Sequence, residues 1–198
     1  MPRLSSKDRY IKEVFNLYKR RGLHLNMEQI ADELHITKKT LYNNFENKED
    51  MMQTVVEFFF HGLESKMMAS VDSSKNAIEA LFMISATIRC EIDKLGEVLL
   101  DDLSKENIEM FVHSSRTSFY SRVIRENLKR GIEEKLYRSD LDIEYATLFY
   151  TSVIEMFYKQ ESSYRLLKKS GEFHSELVKH HLYSVVNTNS RVLLESYL

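Results

Sequence analysis

The chain has 198 residues, a net charge of -2 and 43% apolar residues, enough for a sizeable core in one large domain or two small ones. One proline, five glycines and the single Cys90 exclude an intrachain disulfide, a cysteine-rich zinc site and most hairpin architectures, and point to an almost wholly helical protein. No run approaches 18 apolar residues, and the basic start "MPRLSSKDRYIK" lacks the apolar stretch of a secretory signal, so a cytoplasmic protein with no membrane span is expected.

The first helix is predicted to start at Ser5 or Ser6, with Ile11, Val14, Phe15 and Tyr18 on one face. It ends in "KRRG", where cations face the carbonyl end of the dipole and Gly22 is free to turn left-handed. Three caps follow. Asn26 with Gln29 heads "MEQIADEL", Thr37 heads "KKTLYNNF", and Asn47 with Asp50 heads "KEDMMQTVVEFFFHGLESKMM". Only "HI" separates the first two of these helices, so they must cross steeply: a helix-turn-helix with Ile30, Ala31, Leu34, Ile36, Leu41 and Phe45 in its core. Longer helices are then expected over 48–68, 75–95, 107–136, 142–160 and 172–197, with the shorter "EVLLDDL" between the second and third.

Charge is unevenly spread. Residues 1–48 hold ten lysines and arginines against six acids, a balance of +4 that leaves -6 for the rest, as expected of an anion-binding head on an acidic body. At the start of the helix headed by Thr37, the side chains able to reach base edges in a major groove are Lys38, Lys39 and Thr40, then Asn43 and Asn44. Tyr42 and Lys48 suit phosphate oxygens better, Lys48 standing at the first turn of the next helix. A capped, lysine-rich helix is also compatible with plain solvated surface.

The segment "MEQIADELHITKKTLYNNFENKEDMMQTVV", preceded by "VFNLYKRRGL", resembles the N-terminal signature of the TetR family of bacterial transcription regulators over about 50 residues. Tyr18, Ile30-Ala31, Ile36, Thr40-Leu41-Tyr42, Phe45 and Lys48-Glu49 carry the likeness. It implies an all-α protein: a three-helix DNA-binding domain (1–48) joined by a fourth helix to a larger effector-binding and dimerisation domain (49–198). By position it implies DNA contact by Thr37, Lys38, Lys39, Thr40, Tyr42, Asn43 and Lys48. The function it implies is a ligand-responsive repressor that binds a palindromic operator as a homodimer and is released by a small-molecule effector. Against it stands an all-helical interaction module without DNA binding. His35 and Lys39 occupy positions where the family commonly has glycine, and Lys135 does so within "KRGIEEKLYRSDLDIEYATLFY", which resembles the family's C-terminal connector.

In the body, helical stripes run through Ile143, Ala146, Phe149, Tyr150, Val153, Ile154 and Phe157, and through Phe173, Leu177, Val178, Val185, Val186, Val192 and Leu193. They fit either a dimer built on the last two long helices or the monomer's own core. Candidate effector contacts are Phe82, Met83, Phe111, Phe119 and Tyr120, with Arg89 as an anion anchor or as a structural partner of an acid such as Glu155. Cys90 is expected as a small buried hydrophobe, and His174, His180 and His181 as surface histidines without a metal. No phosphate loop, H-E-x-x-H or nucleophile elbow occurs, so neither catalysis nor a cofactor is expected.

Overall fold

The computed structural model describes residues 6–105, 109–159 and 172–198. They are almost entirely helical. In order they form α1 (Ser6–Arg21), α2 (Met27–Glu33), α3 (Lys38–Tyr42), α4 (Lys48–Ser73), α5 (Ala77–Asp93), α6 (Glu97–Lys105), α7 (Glu109–Glu133), α8 (Ile143–Lys159), α9 (Glu172–Val185) and the short α10 (Arg191–Glu195). The only extended pairing among the described residues is a single antiparallel bridge between Tyr137 and Val186.

Two compact units result, one drawn from residues 1–64 and 92–108, the other from 65–91 and 109–198. In the first, α1 buries Tyr10, Ile11, Val14, Leu17 and Tyr18, and Phe15 meets Phe58 and Phe59 of α4 at ring distances of 6.2 and 5.8 Å. α6 packs on α1 and brings the buried Asp102 to the α1–α2 turn. There its carboxylate accepts the Leu23 N–H at 2.7 Å and meets His24 Nε2 at 2.9 Å.

The second unit is built on Ile78, Leu81, Ile124, Leu128, Tyr150, Val178, Leu182 and Leu194, all buried. Here α7 ends in a glycine-dependent corner. Leu136 N and Tyr137 N both donate to Gly131 O at 2.9 Å, Lys135 takes φ 57°, and Tyr137 folds back over Gly131. The Tyr137 hydroxyl donates to Asn127 Oδ1 at 3.1 Å, and Asn127 Nδ2 donates to Ala77 O at 2.8 Å, which ties α7 to the start of α5.

Four expectations need correction. The helix expected over 172–197 breaks after Val185, because Val186 bridges to Tyr137 while Asn187 donates its backbone N–H to Leu136 O and its side-chain amide to Lys135 O. Asn187 then caps a 3-10 turn through Ser190 N. The helix expected over 107–136 ends at Glu133 for the corner just described. Cys90 is exposed rather than buried, since it lies on the opposite side of α5 from the core residues Ile78, Leu81, Ile84 and Ile88. His181 is 4% exposed rather than at the surface. It follows Val178 by three residues on α9 and therefore shares its inward face, with its ring 4.2 Å from that of Tyr150. His180, one position earlier, is exposed, and the His174 side chain lies outside the described set.

Burial pushes the His181 imidazole down to about 4 from its ordinary 6.5. Between those values the unfolded chain takes up a proton that the folded chain refuses. Stability is therefore whole above about pH 6.5 and falls as the pH drops toward 4, by up to roughly 1.4 kcal/mol per pH unit. Replacing His181 with phenylalanine should flatten this part of the profile. Urea midpoints at pH 7 and pH 5 check it: the drop between them should be smaller in the variant than in the parent chain.

Candidate nucleic-acid interface

The interface is set by local capping. Asn26 Oδ1 accepts Gln29 N and Gln29 Oε1 accepts Asn26 N, both at 2.9 Å, so α2 starts with a reciprocal cap. It ends in a Schellman closure: Ile36 N reaches Ala31 O at 3.0 Å and His35 takes φ 54°. The left-handed region costs a histidine about 1 kcal/mol relative to glycine, and it accounts for the glycine of the resembled pattern at this place. Lys39 lies inside α3, so its backbone needs no glycine there.

α3 is headed by Thr37, whose Oγ1 accepts Thr40 N at 3.0 Å and bonds Thr40 Oγ1 at 2.8 Å. Behind it Leu41 and Phe45 are fully buried with Ile30 and Ala31, which fixes the outer face of the helix. That face presents Lys38, Lys39, Tyr42 and Asn43, all exposed, with Thr40 half-buried between them. Asn44 turns back on the helix and donates to Thr40 O at 2.7 Å, so its amide is engaged within α3. Lys48 is half-buried at the start of α4, next to a cap in which Asn47 Oδ1 accepts Asp50 N and Asp50 Oδ2 accepts Glu46 N, both at 2.9 Å. Thr37 as N-cap, Lys38, Lys39, Thr40 and Tyr42 within α3, and Asn43 as its C-cap thus share one short segment, and Lys48 opens α4 after the next turn.

Two features escaped the sequence. Lys38 Nζ lies 2.6 Å from Glu28 Oε1 of α2, and this hydrogen bond raises the ammonium pKa. An exposed pair of this kind is weak, so any anion meeting Lys38 has only a loosely held competitor to displace. The second feature is Lys7 of α1, whose ammonium lies 5.8 Å from the centre of the Phe45 ring and so adds a cation beside the α3–α4 turn. Both contacts join segments at least ten residues apart, Glu28 to Lys38 and Lys7 to Phe45, which caps and periodicity do not reveal.

The effector candidates fall in several places. Phe82 and Tyr120 pack against the same core of the second unit, Phe82 stacking on Tyr197 at 6.0 Å. Met83 is half-buried and Arg89 is exposed. Phe119 is half-buried with the Arg122 guanidinium 5.3 Å from its ring centre. The side chains of Phe111 and Glu155 lie outside the described set. Among the described residues no cluster of His, Cys, Asp and Glu is arranged to hold a metal, and no helix is long and apolar enough to cross a membrane.

Residues 12–55 match the family described as bacterial regulatory proteins, tetR family. Over 141 residues the chain is 26% identical to the HTH-type transcriptional repressor KstR2 of Rhodococcus jostii (strain RHA1), a match covering 67% of this chain and 68% of that protein. Among solved structures, the ketosteroid transcriptional regulator KstR2 of Mycobacterium tuberculosis aligns with a TM-score of 0.60 at 19% identity over 94% of this chain and 97% of that one. A transcriptional regulator from Cytophaga hutchinsonii ATCC 33406 aligns with a TM-score of 0.72 at 15% identity, over 91% and 98% of the two chains. At these identities the structural likeness speaks for the fold alone.

Proposed function

We propose, from the premise that residues 12–55 carry the DNA-binding signature of the tetR family of bacterial regulators, that the protein is a ligand-responsive transcriptional repressor acting on double-stranded DNA. The observation that carries this reading is α3: a capped helix anchored by Leu41 and Phe45 that turns Lys38, Lys39, Tyr42 and Asn43 outward together. Lys38, Lys39, Thr40 and Asn43 read bases in the major groove, while Tyr42, Lys48 and the cap residue Thr37 hold phosphates and position the helix. Lys7 adds a phosphate contact.

A homodimer presents two such helices to grooves about 34 Å apart, and a palindromic operator follows from its two-fold symmetry. The pairing face we assign is the outer side of α8, where Tyr145, Leu148 and Phe149 are 74%, 61% and 66% exposed. Three large apolar side chains in water on one helix call for a cover. Of the apolar stripes expected from the sequence, Phe149 lies on this face and Val192 is likewise exposed, whereas Ile143, Ala146, Tyr150, Leu177, Val178, Val185, Val186 and Leu193 belong to the chain's own core; the side chains of Ile154, Phe157 and Phe173 lie outside the described set. A small-molecule effector in the second unit that binds one dimer geometry better than the other by a few kcal/mol is enough to empty the operator. This reading places the protein in the cytoplasm and assigns it no catalysis and no cofactor.

The test is binding to a palindromic fragment from upstream of the protein's own gene at rising salt. Six to ten neutralised phosphates per dimer predict an affinity loss of roughly a thousandfold or more between 50 and 200 mM salt. Absent or salt-independent binding overturns the proposal. Within it, Lys48→Ala should weaken all DNA sequences about equally, whereas Asn43→Ala should cost about 1–3 kcal/mol mainly on the preferred site. Equal effects of the two substitutions on specific and nonspecific DNA would show that the base and phosphate roles are wrongly divided.

A further inference from the structure

Lys38 and Lys39 open α3 side by side, and their surroundings differ. Lys39 has no ion-pair partner among the described residues, whereas Lys38 Nζ lies 2.6 Å from Oε1 of Glu28, the second residue of α2. Both side chains of the pair are exposed, Lys38 at 55% and Glu28 at 62%, so no burial forces them together. The hydrogen bond to Glu28 is the first cause of the raised Lys38 pKa, and the charge of Asp32 on the same helix adds to it. The remaining acid of α2, Glu33, is taken up by Arg21 of α1 at 3.2 Å. Glu28 therefore stands within the surface that meets DNA, where a carboxylate repels phosphates whatever their sequence.

We propose that Glu28 is a positioning residue for Lys38 that sets the discrimination of the DNA-reading surface: it keeps the ammonium at the edge of a guanine and off the phosphates of unrelated DNA. The inference rests on the proposed function and deepens it. Donor count is the first reason. An ammonium has three N–H groups, so Lys38 can leave one on Glu28 and still offer two to guanine O6 and N7. The preferred base is met without breaking the pair, and the tethered side chain has less rotamer freedom to lose on binding. Guanine alone presents two acceptors side by side in the major groove. At any other base Lys38 makes its best contact by leaving Glu28 for a phosphate, and the carboxylate then faces that phosphate unpaired. The penalty of the acid falls on the wrong sequence more than on the right one, which is how a repulsive element produces specificity. Its size is bounded by the worth of an exposed ion pair, a factor of about five at most.

The experiment measures binding of the full chain to the upstream palindromic fragment and to a shuffled fragment of equal length and composition, by fluorescence anisotropy over a salt series. Glu28→Gln is expected to tighten the shuffled fragment about three- to fivefold and to change the upstream fragment less than about twofold, so the ratio of the two affinities narrows. The salt dependence should steepen by about one unit of slope on the shuffled fragment alone, because the freed Lys38 takes one more phosphate. In a Lys38→Met background Glu28→Gln should move both fragments equally and leave the ratio as it was. Glu33→Gln removes the same charge from the same helix away from Lys38 and should also leave the ratio unchanged. A ratio that does not respond to Glu28→Gln, or that responds as much to Glu33→Gln or in the absence of Lys38, overturns the proposal, since Glu28 would then act as a bare charge. Salt-dependent binding by the parent chain reads the proposed function separately. Where it persists and the ratio does not respond, only the role of Glu28 fails; where the parent chain does not bind, both fail.

Discussion

Gly131→Ala is expected to destabilise the chain by about 3 kcal/mol, the upper end of what overpacking a folded interior costs. The added methyl would overlap the Tyr137 ring, which is only 2% exposed. The ring has no easy retreat. Its hydroxyl is bonded to Asn127 Oδ1 at 3.1 Å, its own N–H donates to Gly131 O at 2.9 Å, and the next peptide N–H, that of Arg138, donates to Val185 O at 2.9 Å. Moving Tyr137 therefore strains the corner, the α5 tie and the bridge to Val186 together. Alanine is the better helix former by about 1 kcal/mol, so an isolated helix would show the opposite sign. Urea denaturation of Gly131→Ala, Tyr137→Ala and the double variant isolates the cause. If the ring is responsible, alanine at 131 becomes neutral or favourable once Tyr137 is gone. An equal loss in both backgrounds would place the cost in the backbone of α7.

Asp102→Ala should cost a similar amount, about 3 kcal/mol, through a different mechanism. The buried Leu23 N–H loses its acceptor at 2.7 Å, and an orphaned buried donor costs about 1–3 kcal/mol before the lost packing of the carboxylate is counted. The same side chain meets His24 at 2.9 Å and lies against Gly22, whose φ of 78° is the left-handed end of α1. A Cβ at position 22 would overlap the carboxylate. Asp102 and the glycine turn are thus one device that sets the path from α1 into α2. Asp102→Asn retains an oxygen acceptor for Leu23 N–H and should lose less than half as much. Amide exchange at Leu23 decides the point: it should accelerate strongly in the alanine variant and little in the asparagine variant. Equal acceleration in both would mean that the negative charge, not the hydrogen bond, holds the turn. If α3 reads DNA as proposed, the alanine variant should also bind the upstream fragment more weakly.

The candidate DNA-reading surface was largely legible because its determinants are local. Asn26 with Gln29, Thr37 with Thr40 and Asn47 with Asp50 are three residues apart, and Gly22 closes its own helix by φ. The glycine positions of the resembled pattern carried further information. His35 and Lys135, which stand at two of them, take φ 54° and 57°, whereas Lys39 at the third is helical. There the family's glycine is not required by the backbone, and the lysine side chain is free to face outward.

An all-helical chain, a helix-turn-helix with defined caps, and the lysines and amides that begin and end α3 could be read from local pattern alone. All of these follow from interactions within one or two helical turns. Contacts made in three dimensions were needed to bring Asp102 to Leu23 from 79 residues away, to bond Asn187 to Lys135 across 52 residues and so interrupt the last helix, and to put His181 inside and Cys90 outside. An apolar stripe shows that a helix has a buried face, but not which neighbour covers it. His181 sits beside Lys179 and His180 in "VKHHLYS", yet it shares the inward face of α9 with the buried Val178, and Tyr150, 31 positions earlier, packs on its ring.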